Sequence, residues 1–181
     1  DFIRQEAYGG FASVIEHLRL NRFVMLGHSV GGGMAVSIAA AYPDQCIGVI
    51  TESAQAFVED CTLEGIRVAK QQFAKPRQLD RLKKYHGDKA SWVLNSWTET
   101  WLSPEFADWT LDCELQQVRC QLLSIHGDQD DFGPIKHPER IASLAGGPAA
   151  FSCLAKCGHV PHREQPQTVL NEVAGFIGDL G

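Results

Sequence analysis

The apolar run Phe23-Val24-Met25-Leu26 passes directly into Gly27-His28-Ser29-Val30-Gly31-Gly32, and then into the small-residue stretch 34–42, MAVSIAAAY. An apolar run without alternation fits a strand covered on both faces, the pattern of a parallel sheet. The small residues after it permit a helix, and Pro43 ends that helix. A sharp strand-to-helix turn forces Ser29 into strained backbone angles and raises its hydroxyl above the strand end. Glycines two residues to either side leave room for the close backbone approach. The following helix aims free N–H groups at the same place, so the amide of Val30 is expected to receive a developing oxyanion. Ser29 is the candidate nucleophile.

The same alternation of strand and helix returns along the chain. Residues 47–50, 121–125 and 149–154 are apolar runs of strand length, while 138–144 and 166–180 carry helical patterns. Strands alternating with helices imply an α/β fold with a doubly wound, mostly parallel sheet. Ahead of them, residues 1–19 place Phe11, Val14, Ile15 and Leu18 at three- and four-residue spacings, a stripe expected to pack inward and interrupted only by Gly9 and Gly10. Residues 53–114 break the rhythm. They hold all four tryptophans (Trp92, Trp97, Trp101, Trp109) and a basic helix-like run near Arg77 to Tyr85, with no strand signal. A helical cap insertion over 53–114 is expected, between core segments 1–52 and 115–181; a helical excursion packed outside the sheet is the alternative.

A serine hydroxyl is a weak nucleophile at neutral pH unless a neighbouring base takes its proton. Of the seven histidines, His159 is the candidate base, because Cys157-Gly158-His159 follows the last apolar strand, at the strand ends where Ser29 emerges. His28 adjoins Ser29, but the tight turn is expected to point it away and leave it structural. His86, His126, His137 and His162 occupy polar or strand-end settings that suit a solvated or packed imidazole, and His17 lies in the first helix. The base needs a carboxylate to fix its tautomer. Ile125-His126-Gly127-Asp128-Gln129-Asp130-Asp131 offers three. Asp130 is the candidate acid, because three residues past the strand-end glycine the loop can turn back over the sheet. Asp128 and Asp131 remain alternatives, and Glu52 is a substitute from a neighbouring strand.

Composition limits the rivals. The 22 acidic and 16 basic side chains give a net charge of -6 with no basic run, so neither a nucleic-acid groove nor an anionic membrane surface is expected. No apolar stretch approaches the roughly 20 residues that span a bilayer, and the opening DFIRQEAYGG lacks the order of a signal peptide. The six cysteines, scattered without a two-residue spacing, are expected as reduced thiols in a cytoplasmic protein, although Cys153 and Cys157 could bridge. His126, Asp128, Asp130 and His137 are ligand types without a metal-site spacing. The glycine-rich turn does not match G-x-G-x-x-G, although Glu52 lies about 20 residues on. No metal and no cofactor are expected.

Together GHSVGG, IHGDQD and CGHVPHREQP resemble the three motifs of the α/β-hydrolase superfamily, and the order nucleophile, acid, histidine agrees with it. The segment ESAQAFVEDCTLEGIR is similar to the valacyclovir hydrolase-like and ring-cleavage C–C hydrolase branches. The resemblance implies a capped, cofactor-free hydrolase. With serine at the elbow, it implies cleavage of an ester, thioester, lactone or vinylogous diketone C–C bond of a small molecule.

Superfamily members carry several strands before the elbow and an HG-type loop that gives a second oxyanion donor, whereas 28 residues precede Ser29 here. An N-terminal portion is therefore expected to be absent from this chain. An apolar sheet edge would be left open, to be completed by an N-terminal fragment or a second copy. The alternative to catalysis is a truncated, non-catalytic fragment acting as an assembly or binding module.

Overall fold

In a computed structural model describing residues 1–181, four strands form one sheet: β1 (Phe23–His28), β2 (Cys46–Glu52), β3 (Gln121–Gly127) and β4 (Ala149–Leu154). They pair in parallel in the order β1-β2-β3-β4. Parallel pairing follows from the helices that return the chain to the same sheet end between strands. Ten helices occur, α1 (Phe2–Tyr8), α2 (Gly10–Leu18), α3 (Val30–Ala41), α4 (Asp60–Phe73), α5 (Gln78–His86), α6 (Ala90–Trp101), α7 (Asp112–Leu115), α8 (Lys136–Leu144), α9 (Pro161–Glu164) and α10 (Pro166–Gly178). The register pairs His28 with Glu52, Glu52 with Ile125, and Gly127 with Leu154. The loops that leave His28, Glu52, Gly127 and Leu154 therefore all start at one end of the sheet.

Two compact units make up the chain, Asp1–Ala56 with Thr110–Gly181, and Phe57–Trp109. In the first, Ile50, Ile125, Leu154, Cys157 and Val169 form a buried cluster, against which Val173 and Phe176 of α10 pack. Each buried Ile, Leu or Val of the cluster contributes about 1.5–3 kcal/mol by leaving water. α3 is apolar nearly all round and buries Ala35, Val36, Ile38 and Ala39, as a helix does when elements cover it on several sides. Ion pairs of Glu114 with Arg4 and of Asp112 with Arg140 tie α7 to α1 and α8. Leu111 and Leu115 are fully buried in the same unit, and of the residues expected in the insertion, 53–56 and 110–114 fall in the sheet-bearing unit.

In the second unit every regular element is helical. Its apolar centre is aromatic: Phe106 stacks on Trp109 at 5.3 Å, and both rings meet Trp101 edge-on at 5.2 and 5.5 Å. Trp92 is exposed, Trp97 is half-buried, and a Lys70–Glu99 ion pair links α4 to α6.

The chain breaks at Gly9 instead of running on as one helix, which suits a residue about 1 kcal/mol worse than Ala inside a helix. The Asp1 carboxylate caps α1 by accepting the Ile3 N–H at 3.0 Å. α1 then buries Ile3 and Ala7, whereas the stripe of α2 leaves Val14 and Leu18 43% and 59% exposed. β1 is also not covered on both faces: it is an edge strand, and Leu26 is 52% exposed. No helix is long and apolar enough to cross a membrane.

Candidate active site

Only one residue, Ser29, separates β1 from α3, and it takes φ 53 and ψ -122. A non-glycine residue in that region is strained, and the surroundings must hold it there. The Ser29 N–H donates to the Glu52 carbonyl at 2.8 Å, and the Ser29 carbonyl accepts from Gly32 at 2.9 Å. A Cβ at Gly27 would overlap the Gly31 carbonyl, so the turn closes only around a hydrogen atom there. Val30 opens α3, and its amide belongs to the first turn, whose N–H groups lack acceptors within the helix.

His159 Nε2 lies 3.0 Å from Ser29 Oγ, while Nδ1 lies 2.9 and 2.8 Å from the two oxygens of Asp130. Asp130 sits in the loop after β3, where its Oδ1 also accepts the Phe132 N–H at 2.8 Å. Burial pushes its carboxyl up, but the hydrogen bond and charge of His159, the Phe132 amide and the nearby His126 outweigh that. The group stays below the usual carboxylate range. The alternative carboxylates go elsewhere. Asp128 accepts the Cys157 N–H at 3.3 Å, Asp131 is exposed, and Glu52 holds His162, accepting its backbone N–H at 2.5 Å and pairing with its Nδ1 at 2.8 Å.

His28 does not turn away. Its Nε2–H donates to the His159 carbonyl at 2.7 Å, and its ring lies 5.0 Å from that of His159 and 5.2 Å from that of His162. Burial holds the His28 imidazole below its usual range, although the His159 carbonyl works against it. Sequence spacing carries no signal for this ring, because the partner loop lies about 130 residues away. His126 is fully buried and donates from Nε2 to the Gly133 carbonyl at 2.8 Å. His137 accepts the Ala56 N–H at Nδ1, 3.1 Å away. No group of three or more His, Cys, Asp or Glu residues is arranged to hold a metal ion, and all six cysteines are free.

A parallel sheet with a strained serine elbow, facing a histidine that a carboxylate holds, defines the class of protein to which α/β hydrolases belong. A model of the alpha/beta hydrolase family matches residues 2–173, and the chain belongs to that family. A Haemophilus influenzae protein named as an esterase/lipase is 27% identical over 184 residues, covering 91% of this chain and 63% of its own length. Among solved structures, a bacterial membrane phospholipase A superposes with a TM-score of 0.78 at 18% identity, over 98% of this chain and 63% of that one. A meta-cleavage product hydrolase from Pseudomonas fluorescens does so at 0.70 and 19% identity, over 94% of this chain and 70% of that one. The chain thus spans 63% of the length of the esterase/lipase relative and of the phospholipase.

Proposed function

We propose that this chain carries the chemistry of a serine hydrolase acting on a small acyl substrate, with Ser29 as nucleophile, His159 as general base, Asp130 as its carboxylate partner and the Val30 amide as an oxyanion donor. The observation that carries the reading is the unbroken hydrogen-bonded line from Ser29 Oγ through both ring nitrogens of His159 to Asp130.

In this mechanism Ser29 Oγ attacks the acyl carbon as His159 Nε2 takes the hydroxyl proton, and charge gathers on the carbonyl oxygen near the Val30 N–H. Collapse expels the leaving group, which receives the proton from Nε2. The same imidazole then deprotonates a water molecule, whose attack frees the acid and restores Ser29. Asp130 remains ionised throughout, holding the Nδ1–H tautomer and stabilising the imidazolium. The bond cleaved is that of an ester, thioester or lactone, or a C–C bond of a vinylogous diketone. The relative named as an esterase/lipase favours the first of these.

We assign substrate selection to the helical unit Phe57–Trp109; exchanging it with that of a relative is expected to change acyl-chain preference. Six unbridged thiols fit a cytoplasmic setting. The test is covalent labelling by a fluorophosphonate, with turnover of p-nitrophenyl acetate measured alongside. An adduct mapping to Ser29, lost in Ser29→Ala, is the expected result; a clean adduct elsewhere, or none on folded protein, overturns the reading. A second reading, assembly with another chain, is favoured by the half-exposed Leu26 on the unpaired edge of β1.

A further inference from the structure

Side chains hold the backbone around His159 at several points. The Cys157 N–H goes to Asp128, the His159 carbonyl to His28 and the His162 N–H to Glu52. The two amides on either side of His159 go to a single carboxylate, because Gly158 N–H donates to Glu164 Oε2 at 2.7 Å and Val160 N–H donates to Glu164 Oε1 at 3.0 Å.

We propose that Glu164 is a positioning residue for the base, gripping the peptide groups before and after His159 so that its imidazole is held between Ser29 and Asp130. This rests on the reading of His159 as base.

Three observations support the assignment. Glu164 closes α9, which starts at Pro161, so the chain turns back within five residues of His159 and presents a carboxylate to its own upstream loop. A Cβ at Gly158 would come within 3.1 and 3.2 Å of the two Glu164 oxygens, so the carboxylate lies close against the backbone just before His159. Glu164 is also solvent-exposed, and its two backbone hydrogen bonds hold its carboxyl below the usual range, which keeps it a charged acceptor at neutral pH. Exposed hydrogen bonds add little to global stability. Fixing an imidazole to a fraction of an ångström matters much more to rate, since a 1 Å misplacement can cost about 100-fold.

The experiment is the kinetics of Ser29 labelling by a fluorophosphonate in wild type, Glu164→Gln and Glu164→Ala, separating the inactivation rate constant from the inhibitor's binding constant, with melting curves in parallel. Glu164→Ala is expected to lower the rate constant about 10- to 100-fold, with binding unchanged and melting little altered. Glu164→Gln, whose amide oxygen can still accept one of the two N–H groups, is expected to fall between. A labelled wild type with Glu164→Ala at the same rate overturns the proposal alone, as does a loss that only tracks the unfolded fraction. A folded wild type that does not label at Ser29 overturns the reading of the site, and the proposal with it. If Glu164→Ala fails to fold, the isosteric Glu164→Gln decides by the same criterion.

Discussion

Both carboxylate oxygens of Asp130 reach the same atom, Nδ1 of His159, at 2.9 and 2.8 Å. The carboxylate is itself oriented by the Phe132 amide, so the imidazole meets an acceptor already turned toward it. Asp130→Asn is therefore expected to lower kcat by about 10³- to 10⁴-fold, because a carboxamide can present its NH₂ group to Nδ1 and favour the wrong tautomer. Asp128→Asn removes one acceptor of a loop amide and is expected to cost less than tenfold, about what one weak hydrogen bond is worth. Steady-state hydrolysis of p-nitrophenyl acetate checks both, and the reverse ranking would transfer the role to Asp128.

Burial pushes the His137 imidazole down to about 4 from its ordinary 6.5. Between those values the unfolded chain takes up a proton that the native state refuses. The stability that His137 contributes is complete above pH 6.5 and is lost as pH falls toward 4, by about 3 kcal/mol over the full range. Urea denaturation at pH 7 and pH 4 is expected to show a smaller acid loss in His137→Gln than in wild type, by about that amount. An equal loss in the two proteins would contradict it.

Space at the strand ends separates two glycines. A Cβ at Gly127 would overlap the carbonyls of Cys157 and Gly158, which belong to the loop carrying His159. Gly127→Ala is expected to cost about 1–3 kcal/mol, since the obstruction is backbone and cannot swing aside. It should also lower the labelling rate of Ser29 in the folded fraction. At Gly31 a Cβ meets nothing within 4 Å, so Gly31→Ala is expected to hold or raise stability, by up to about 1 kcal/mol. Melting curves of the two variants give the comparison.

The open edge of β1 carries Leu26, half-exposed beside backbone groups that no strand pairs. Such an edge favours association. Sedimentation of the chain is expected to show concentration-dependent growth that Leu26→Lys reduces. A monomer at all concentrations would remove the support for the assembly reading.

The convergence of Ser29, Asp130 and His159 is legible in the sequence because each follows an apolar run of strand length, and parallel strands joined by helices bring their carboxyl ends to the same side. Glu52 and His28 are not legible in the same way. Each bonds to the loop of the base, His28 to the His159 carbonyl and Glu52 to His162; the β1–β2 register sets them side by side, and pairing register is a property of two strands that neither carries alone. Leu26 misleads for a related reason: the same four apolar residues suit a central or an edge strand, and only the neighbours decide which. In the first helices, the spacing of Phe11, Val14, Ile15 and Leu18 is real, but burial falls on Ile3 and Ala7 once the chain bends at Gly9. Phe11 instead meets Phe23 and Tyr42 edge-on, at 5.1 and 5.9 Å.

Glu52 is bonded twice over. Its main-chain oxygen receives the Ser29 amide, while its side chain receives the His162 amide and pairs with that ring. Loosening the end of β2 would release the nucleophile's turn and the base's loop in a single event. The two amides are then expected to exchange with deuterium at matched rates, as members of one cooperative opening.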